Sequence, residues 1–422
     1  MKIIEDATCT FCGCLCDDIQ LKVDGHRIVE AENACPLGQA WFLAPQPADV
    51  PACLIDGQPA ALEEGIRLAA EILTTARYPL IYGLSDTTCE AQRVAVGIAD
   101  RIGGSVDTTT SISGGSAGMT LDGVGDVTAT LGEILHRGDL IFFWGTDPAE
   151  SHPRHFTRYS LTPKGIWTPR GREDRTCVVI DVRETETARA ADLFLQIDAG
   201  KDFEALWTLR ALANGLDLDS EQVERETGVA MAAWQELMDR MKQAHYGAIL
   251  FGTDLSMPGG AVSALVRDMN EHTRFVSRPM RGGGNVAGAD NVLTWRTGYP
   301  FGVNLSRGYP RFNPGEYTAA DLLRRGEADA ALIVASDPMD NFPEAAREHL
   351  ASIPSIAIDS RPTATTRQAT VAFRVATYGI NVAGSVYRTD DVPLPLRPAV
   401  ASPLPSDLEI LREIERLFGE LL

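Results

Sequence analysis

Five of the eight cysteines fall within the first 35 residues, as Cys9-Thr10-Phe11-Cys12-Gly13-Cys14-Leu15-Cys16 and then Cys35-Pro36. Read as Cys9-x2-Cys12-x3-Cys16-x18-Cys35, they supply four thiolates, the number a [4Fe–4S] cluster takes. One loop would wrap three irons and the fourth ligand would return from a turn. Four cysteines also make a tetrahedral zinc site. A disulfide framework is the third reading, although nothing in the sequence suggests secretion. Cys14 is then a spare thiol or an alternative ligand. Cys53, Cys89 and Cys177 are scattered, as buried small hydrophobes are.

A second chemistry is carried by Met280-Arg281-Gly282-Gly283-Gly284-Asn285-Val286-Ala287-Gly288. Such a loop lets backbone amides approach a phosphate, with Arg281 to pair its charge. It lacks the Lys-Ser/Thr of a Walker loop, which argues against an NTPase. A third signal is a repetition. Gly145-Thr146-Asp147-Pro148 resembles Ser336-Asp337-Pro338, and Asp181-Val182-Arg183 resembles Asp359-Ser360-Arg361. At any one position the bland reading, a helix cap or turn, competes with ligand binding. The histidines show no metal-ligand spacing, and His152 reads as a residue that orders its own loop.

The elements that must position these residues alternate. Residues 1–53 read as short strands around the cysteine loop, with prolines at the exit. Helical spacing over Ala61–Thr75 and Glu90–Ile102 brackets the buried strand Pro79–Gly83. Asp107–Gly118 has neither a helical nor a strand period. Apolar strands recur at 139–145, 177–181, 248–252, 330–335 and 355–359, each running into Gly, Asp or Ser/Thr. Uninterrupted apolar strands alternating with helices imply parallel sheets covered on both faces, with ligands at the carboxyl ends of the strands. Two similar α/β halves would turn two ligand-binding edges toward each other. Asp407–Leu422 reads as an amphipathic helix whose stripe, Ile410, Leu411, Ile414, Leu417 and Leu421, packs inside the fold.

A 422-residue chain with 44% hydrophobic and 23% charged residues is an ordinary globular composition with room for several cores. A net charge of −20 argues against nucleic-acid or anionic-membrane surfaces. No apolar run approaches the ~20 residues of a membrane span, and no leader is evident, so the expectation is a cytoplasmic protein.

Several segments together resemble the B subunit of formylmethanofuran dehydrogenase over nearly the whole chain. They are the cysteine pattern, Gly145–Arg154, Arg281–Gly288, Thr294-Trp295-Arg296-Thr297-Gly298-Tyr299-Pro300-Phe301, Ser306–Arg311 and Asn313-Pro314-Gly315-Glu316. More distantly, that family belongs with the molybdopterin oxidoreductases. The resemblance implies an α/β fold: a small N-terminal iron–sulfur module plus two doubly wound parallel-sheet domains, one inserted in the other. The expected divisions are 1–53 for the [4Fe–4S]-type module, 54–113 with 281–400 for a discontinuous α/β domain, 114–280 for an inserted Rossmann-like domain, and 401–422 for the terminal helix. It implies Cys9, Cys12, Cys16 and Cys35 as cluster ligands. It also implies a molybdopterin guanine dinucleotide with molybdenum or tungsten. Gly145, Asp147, Pro148, Glu150 and His152 would line one dinucleotide edge, with Asp181, Arg183 and Thr187 following. Arg281, Gly282, Asn285 and Gly288 would form a pterin-contacting loop.

The chain departs from the family at one place. Catalytic members carry a Ser-Val-Cys-His-Gly-Pro-like segment whose cysteine or selenocysteine binds the metal. Here it reads Ser111-Ile112-Ser113-Gly114-Gly115-Ser116. Ser113 stands at the metal-ligand position and Gly114 at the histidine position. A serine oxygen is a harder ligand than thiolate and loses its proton less easily. The missing imidazole removes a group that handles protons near neutral pH. The pattern resembles the B subunit of the bacterial formyltransferase/hydrolase complex, which works in tetrahydromethanopterin-linked one-carbon metabolism and releases formate by hydrolysis on partner subunits. The expectation is therefore a non-redox architectural subunit, without catalytic residues of its own, held among the other subunits of such a complex. The alternative is an active molybdenum or tungsten formylmethanofuran dehydrogenase with Ser113 at the metal. Arg296, Arg307 and Arg311 read either as contacts to a phosphate or a carboxylate-rich carrier or as salt bridges at a subunit interface, and the aromatics Trp295, Tyr299, Phe301, Tyr309 and Phe312 read as part of a subunit interface.

Overall fold

The computed structural model describes residues 1–44, 50–113, 125–252 and 260–421. The chain forms two compact units, Met1–Ile112 with Gly283–Leu422, and Ser113–Gly282. The residues expected to form an N-terminal module and a terminal helix both belong to the first of these.

The first unit begins with an antiparallel sheet of Lys2–Ala7, Ile19–Asp24 and Arg27–Glu32. Its main sheet has nine strands. Five of them run parallel, in the order Ser105–Thr108, Pro79–Gly83, Ala330–Val334, Ser355–Asp359 and Val371–Arg374. Short antiparallel strands extend both edges, including Val303–Asn304 beside Ser105–Thr108. Side chains alternate between faces along each central strand. Ile81, Leu332 and Val334 enter one core with the helices Leu62–Thr75, Cys89–Ile102, Val286–Thr297 and Asp407–Leu421. Leu80, Tyr82 and Ile333 enter the opposite core with Ala319–Arg324 and Glu344–Ser352. Both faces are covered, which is why these strands lack polar alternation.

The terminal helix buries Ile410, Leu411, Ile414 and Phe418 in the first of those cores, while Leu421 stays 45% exposed. Its stripe is an internal packing face. The segment after Gly104 differs from expectation, because Asp107 and Thr108 belong to a buried strand and Thr110–Ser113 is a short helix. Its polar residues are paired inside the fold, so no apolar period announces it.

The second unit holds a five-stranded parallel sheet in the order Leu193–Gln196, Thr176–Asp181, Leu140–Trp144, Tyr246–Phe251, Arg274–Pro279. All five residues of Leu140–Trp144 are buried. The indole of Trp144, fully enclosed, donates to the Asp202 carboxylate at 2.9 Å, so the one polar atom of that side chain is satisfied. In both units the strand order reverses beside the first strand, between Pro79–Gly83 and Ala330–Val334 and between Leu140–Trp144 and Tyr246–Phe251. Open α/β sheets bind ligands outside such reversals. Among the described residues, no helix is long and apolar enough to cross a membrane.

Candidate functional site

The cysteine loop joins the first two strands of the N-terminal sheet. It is closed by Cys9 N donating to Cys16 O at 2.8 Å and Leu15 N to Cys12 O at 3.1 Å. Cys35 caps the helix Pro36–Leu43, its sulfur accepting from Gly38 N at 3.4 Å. A Cβ on Gly38 would stand 3.2 Å from Cys9 Sγ and 3.8 Å from Cys35 Sγ, so the two thiols share the first turn of that helix. Burial pushes the Cys9 thiol far above the usual range, and nearby Cys12, Cys16 and Cys35 push the same way. A hydrogen bond from Cys14 lowers Cys12. Cys9 and Cys35 thus lie beside a helix N-terminus, a place that favours negative charge, with Cys12 and Cys16 near enough to Cys9 to raise its pKa. Among the described residues, no three His, Cys, Asp or Glu side chains are set to hold a metal ion as they stand. In a cubane, by contrast, each thiolate meets a different iron.

This loop is tied to residues with no sequence signal. The Tyr378 hydroxyl lies 2.8 Å from Thr10 O and 3.1 Å from Asp86 Oδ1, and Thr10 Oγ1 donates to Tyr378 O at 3.2 Å. Trp41 meets Phe11 and Tyr378 edge to face, and the Arg361 guanidinium covers it at 4.9 Å. Burial raises the Asp86 carboxyl. It also brings Asp359 up to about 6, with Asp86 adding to the rise and Arg361 and Arg374 opposing it. Asp86 and Asp359 stand at the carboxyl ends of the sheet. Leu84 and Ala335, beside the strand reversal, carry left-handed φ of 71° and 48°, conformations that cost energy outside glycine.

The glycine loop touches the same place. Gly284 N donates to Asp86 Oδ1 at 3.3 Å. A Cβ on Gly284 would fall 2.1 Å from Thr10 O and 2.4 Å from the Tyr378 hydroxyl. Asn285 is fully buried, with Nδ2 on Thr87 O at 2.6 Å and Oδ1 accepting from Tyr387 N at 2.8 Å. The Asn285 amide would collide with a Cβ on Gly288. Close packing therefore accounts for Gly284, Asn285 and Gly288, while a Cβ on Gly282 would meet nothing within 4 Å among the described residues.

Two buried carboxylates fix the segment that leads to position 113. Asp107 accepts from Gly302 N at 2.8 Å, Ala319 N at 2.6 Å and Ser111 Oγ at 2.6 Å. Asp290 accepts from Thr108 and Thr110 hydroxyls, each at 2.8 Å. Ser113 ends the short helix, and Gly114 lies outside the described residues.

In the second unit, the Asp147 carboxylate accepts from Glu186 N and Thr187 N at 3.2 Å and from the Thr187 hydroxyl. Pro148 opens the helix Pro148–Ser151, Glu150 is exposed, and Gly145 takes a φ of 56°. His152, 3% exposed, spans from Ser151 Oγ to Arg281 O, each at 2.9 Å, and burial lowers its pKa. Arg183 N donates to Asp181 Oδ1 at 3.2 Å. The structure thus joins Asp147 to Thr187, His152 to Arg281 and Asp181 to Arg183. In the first unit it joins Asn285 to Gly288.

In the aromatic segment, Tyr299 and Phe312 stack at 4.8 Å with Phe301 edge-on to Phe312, so these rings pack internally. Trp295 and Tyr309 remain more than half exposed.

No family model matches the chain. A relative from Methanocaldococcus jannaschii, the B subunit of tungsten-containing formylmethanofuran dehydrogenase 2, is 41% identical over 438 aligned positions, covering 100% of both chains. The B subunit of the formyltransferase/hydrolase complex of Methylorubrum extorquens is 27% identical over 68% of this chain and 75% of its own length. A chain in the crystal structure of that complex (FhcABCD) with methylofuran superposes with a TM-score of 0.72 at 26% identity, covering 87% of this chain and 99% of that one.

Proposed function

Because the chain belongs to the family of formylmethanofuran dehydrogenase B subunits, we propose that it serves as the architectural B subunit of a formyltransferase/hydrolase-type complex in one-carbon metabolism. In that role it holds partner subunits and performs no redox turnover itself. The observation that carries this reading is the pair Ser113 and Gly114, at the positions where the family resemblance leads one to expect a thiolate or selenolate and an imidazole.

Cys9, Cys12, Cys16 and Cys35 would hold a [4Fe–4S] cluster. The closed loop, the shared helix turn and the N–H of Gly38 aimed at Cys35 Sγ support this assignment. A cluster there would supply an electron relay or a structural pin. Either way it would relieve the four neighbouring thiols, two of them buried, of the repulsion between their charged forms, and such ligation adds folding free energy. Phe11, Trp41 and Tyr378 pack edge to face beside the loop. Asp86 and Tyr378 fix Thr10 against Gly284.

A molybdopterin guanine dinucleotide finds weaker support. Asp147 and Thr187 satisfy each other, and Asn285 spends its amide inside the fold, so both act as scaffold. Gly282, with open space where a Cβ would stand, is the position of the glycine loop that gives an anion room to approach.

A second reading, an active molybdenum or tungsten enzyme with Ser113 at the metal, is favoured by the 41% identity to a tungsten-containing relative along the entire chain. Metal and pterin analysis of the native complex, purified without oxygen, separates the two. Iron without molybdenum, tungsten or pterin supports the architectural reading; stoichiometric tungsten or molybdenum with pterin supports the second.

A further inference from the structure

Trp41 is 8% exposed, and its indole Nε1 has no hydrogen-bond acceptor among the described residues. A tryptophan N–H can only donate, and a buried one ordinarily finds an acceptor. The other two buried tryptophans follow that rule. Trp144 Nε1 donates to Asp202 Oδ1 at 2.9 Å, and Trp234 Nε1 donates to Thr227 Oγ1 at 3.2 Å. An enclosed donor without an acceptor costs free energy unless a bound group or a water completes it.

The surroundings of this N–H narrow what completes it. Trp41 stands in the second turn of Pro36–Leu43, the helix capped by Cys35. Gly38 lies one turn earlier on the same face, where a Cβ would come within 3.2 Å of Cys9 Sγ and 3.8 Å of Cys35 Sγ. Phe11, between Cys9 and Cys12, meets the Trp41 ring edge to face, with centroids 6.2 Å apart. Tyr378 meets it at 6.3 Å, its hydroxyl already engaged with Thr10 O and Asp86 Oδ1. The Arg361 guanidinium covers the ring at 4.9 Å, and an arginine side chain has donors alone. Held by two rings and a cation, the indole has a fixed orientation. Its helix face is the one that meets the cysteine sulfurs, and thiolate or sulfide sulfur is an acceptor.

We propose that the Trp41 indole N–H donates to a sulfur of the cluster assigned to Cys9, Cys12, Cys16 and Cys35, and so raises its reduction potential. The inference rests on that cluster assignment and is independent of any pterin. Hydrogen bonds to sulfur tune such potentials, because a donor stabilises the more negative, reduced state. Trp41 is then a positioning and tuning residue, whose effect is read in the cluster's spectrum.

The test uses the full chain with its partner subunits, purified without oxygen and carrying isotopically labelled indole nitrogen. After reduction with dithionite, pulsed EPR reads which nitrogens couple to the cluster spin. The expected result is an indole coupling in wild type that is lost in Trp41→Phe, which keeps an aromatic ring and has no N–H. A redox titration followed by EPR should place the Trp41→Phe cluster at a lower potential, with iron content unchanged. Should Trp41→Phe lose its iron, the wild-type spectrum decides alone. Trp144 and Trp234 spend their N–H groups inside the second unit, and Trp295→Phe, at an exposed position, should leave the coupling in place. A reduced cluster without indole coupling overturns the proposal, leaves the cluster assignment standing, and gives the N–H to a buried water. Coupling that survives in Trp41→Phe, or an unchanged potential in that variant, overturns it too. Protein with no iron–sulfur signal sinks the cluster assignment and the proposal together.

Discussion

The Asp147 carboxylate is closed onto Thr187, accepting from its backbone N–H and its hydroxyl, while Ala149 N donates to Thr187 Oγ1 at 3.2 Å. In the other unit Asp337 and Thr365 repeat the pattern. Asp337 accepts from Thr365 N at 2.8 Å and Thr365 Oγ1 at 2.6 Å, and Met339 N donates to Thr365 Oγ1 at 3.2 Å. Each clamp pins the loop after one parallel strand to the short helix after the next. Thr187→Val and Thr365→Val, which keep shape and lose the hydroxyl, should each cost about 1–3 kcal/mol. Hydrogen exchange should show the loosening confined to the unit that carries the substitution. Loosening spread evenly over both units would contradict independent clamps.

Gly284 and Gly282 stand two residues apart with opposite tolerance. A Cβ at 284 would meet Thr10 O and the Tyr378 hydroxyl, whereas among the described residues a Cβ at 282 meets nothing within 4 Å. Gly284→Ala should push the cysteine loop out of place, with overpacking of about 1–3 kcal/mol and a fall in bound iron. Gly282→Ala should leave both near wild type. Melting curves and iron content of the two variants check this.

Cys14 is buried like Cys9 and Cys16, whereas Cys12 and Cys35 are half-buried, and its thiol is hydrogen-bonded to Cys12. Cys14→Ala should keep the iron–sulfur absorbance, and Cys9→Ala should abolish it. Ultraviolet-visible spectra of anaerobic protein decide, and loss of the signal in both variants would assign Cys14 to the ligand set.

Burial pushes the Asp107 carboxyl up to about 7. The folded chain therefore holds a proton that the unfolded chain releases. That contribution to stability is present at low pH and is lost as pH rises from about 4 to about 7, on the order of 4 kcal/mol. Urea melts at pH 5 and pH 8 should show Asp107→Asn with a smaller pH dependence than wild type. An unchanged slope would mean that Asp107 is ionised throughout.

The parallel strands, the helix closed by Gly103 and the matched Asp-Pro and Asp-x-Arg pairs were legible because each is a local pattern: an apolar run, a left-handed cap at φ 65°, a repeated tripeptide. The repeats suggested two ligand edges, and the structure places Asp147 and Asp337 as clamps between loops. The strand Ser105–Thr108 was hidden, since its neighbour Val303–Asn304 lies nearly 200 residues away and Asp107 breaks its apolar pattern. Asp86 and Tyr378 were equally silent. Their role comes from meeting Thr10 and Gly284 in space, and a lone Asp or Tyr carries no period or motif to report that. The glycine loop was ambiguous in the sequence because close packing, as at Gly284 and Gly288, and phosphate contact both select glycine.

The proposed architectural role requires that the chain perform no redox turnover, with Ser113 and Gly114 in place of a thiolate and an imidazole. Viologen reduction by the anaerobic native complex, supplied with its formylated furan carrier, tests it most directly. The account predicts formate release with no dye reduction, unchanged when Ser113 is replaced by alanine. Sustained dye reduction that disappears in Ser113→Ala would contradict it.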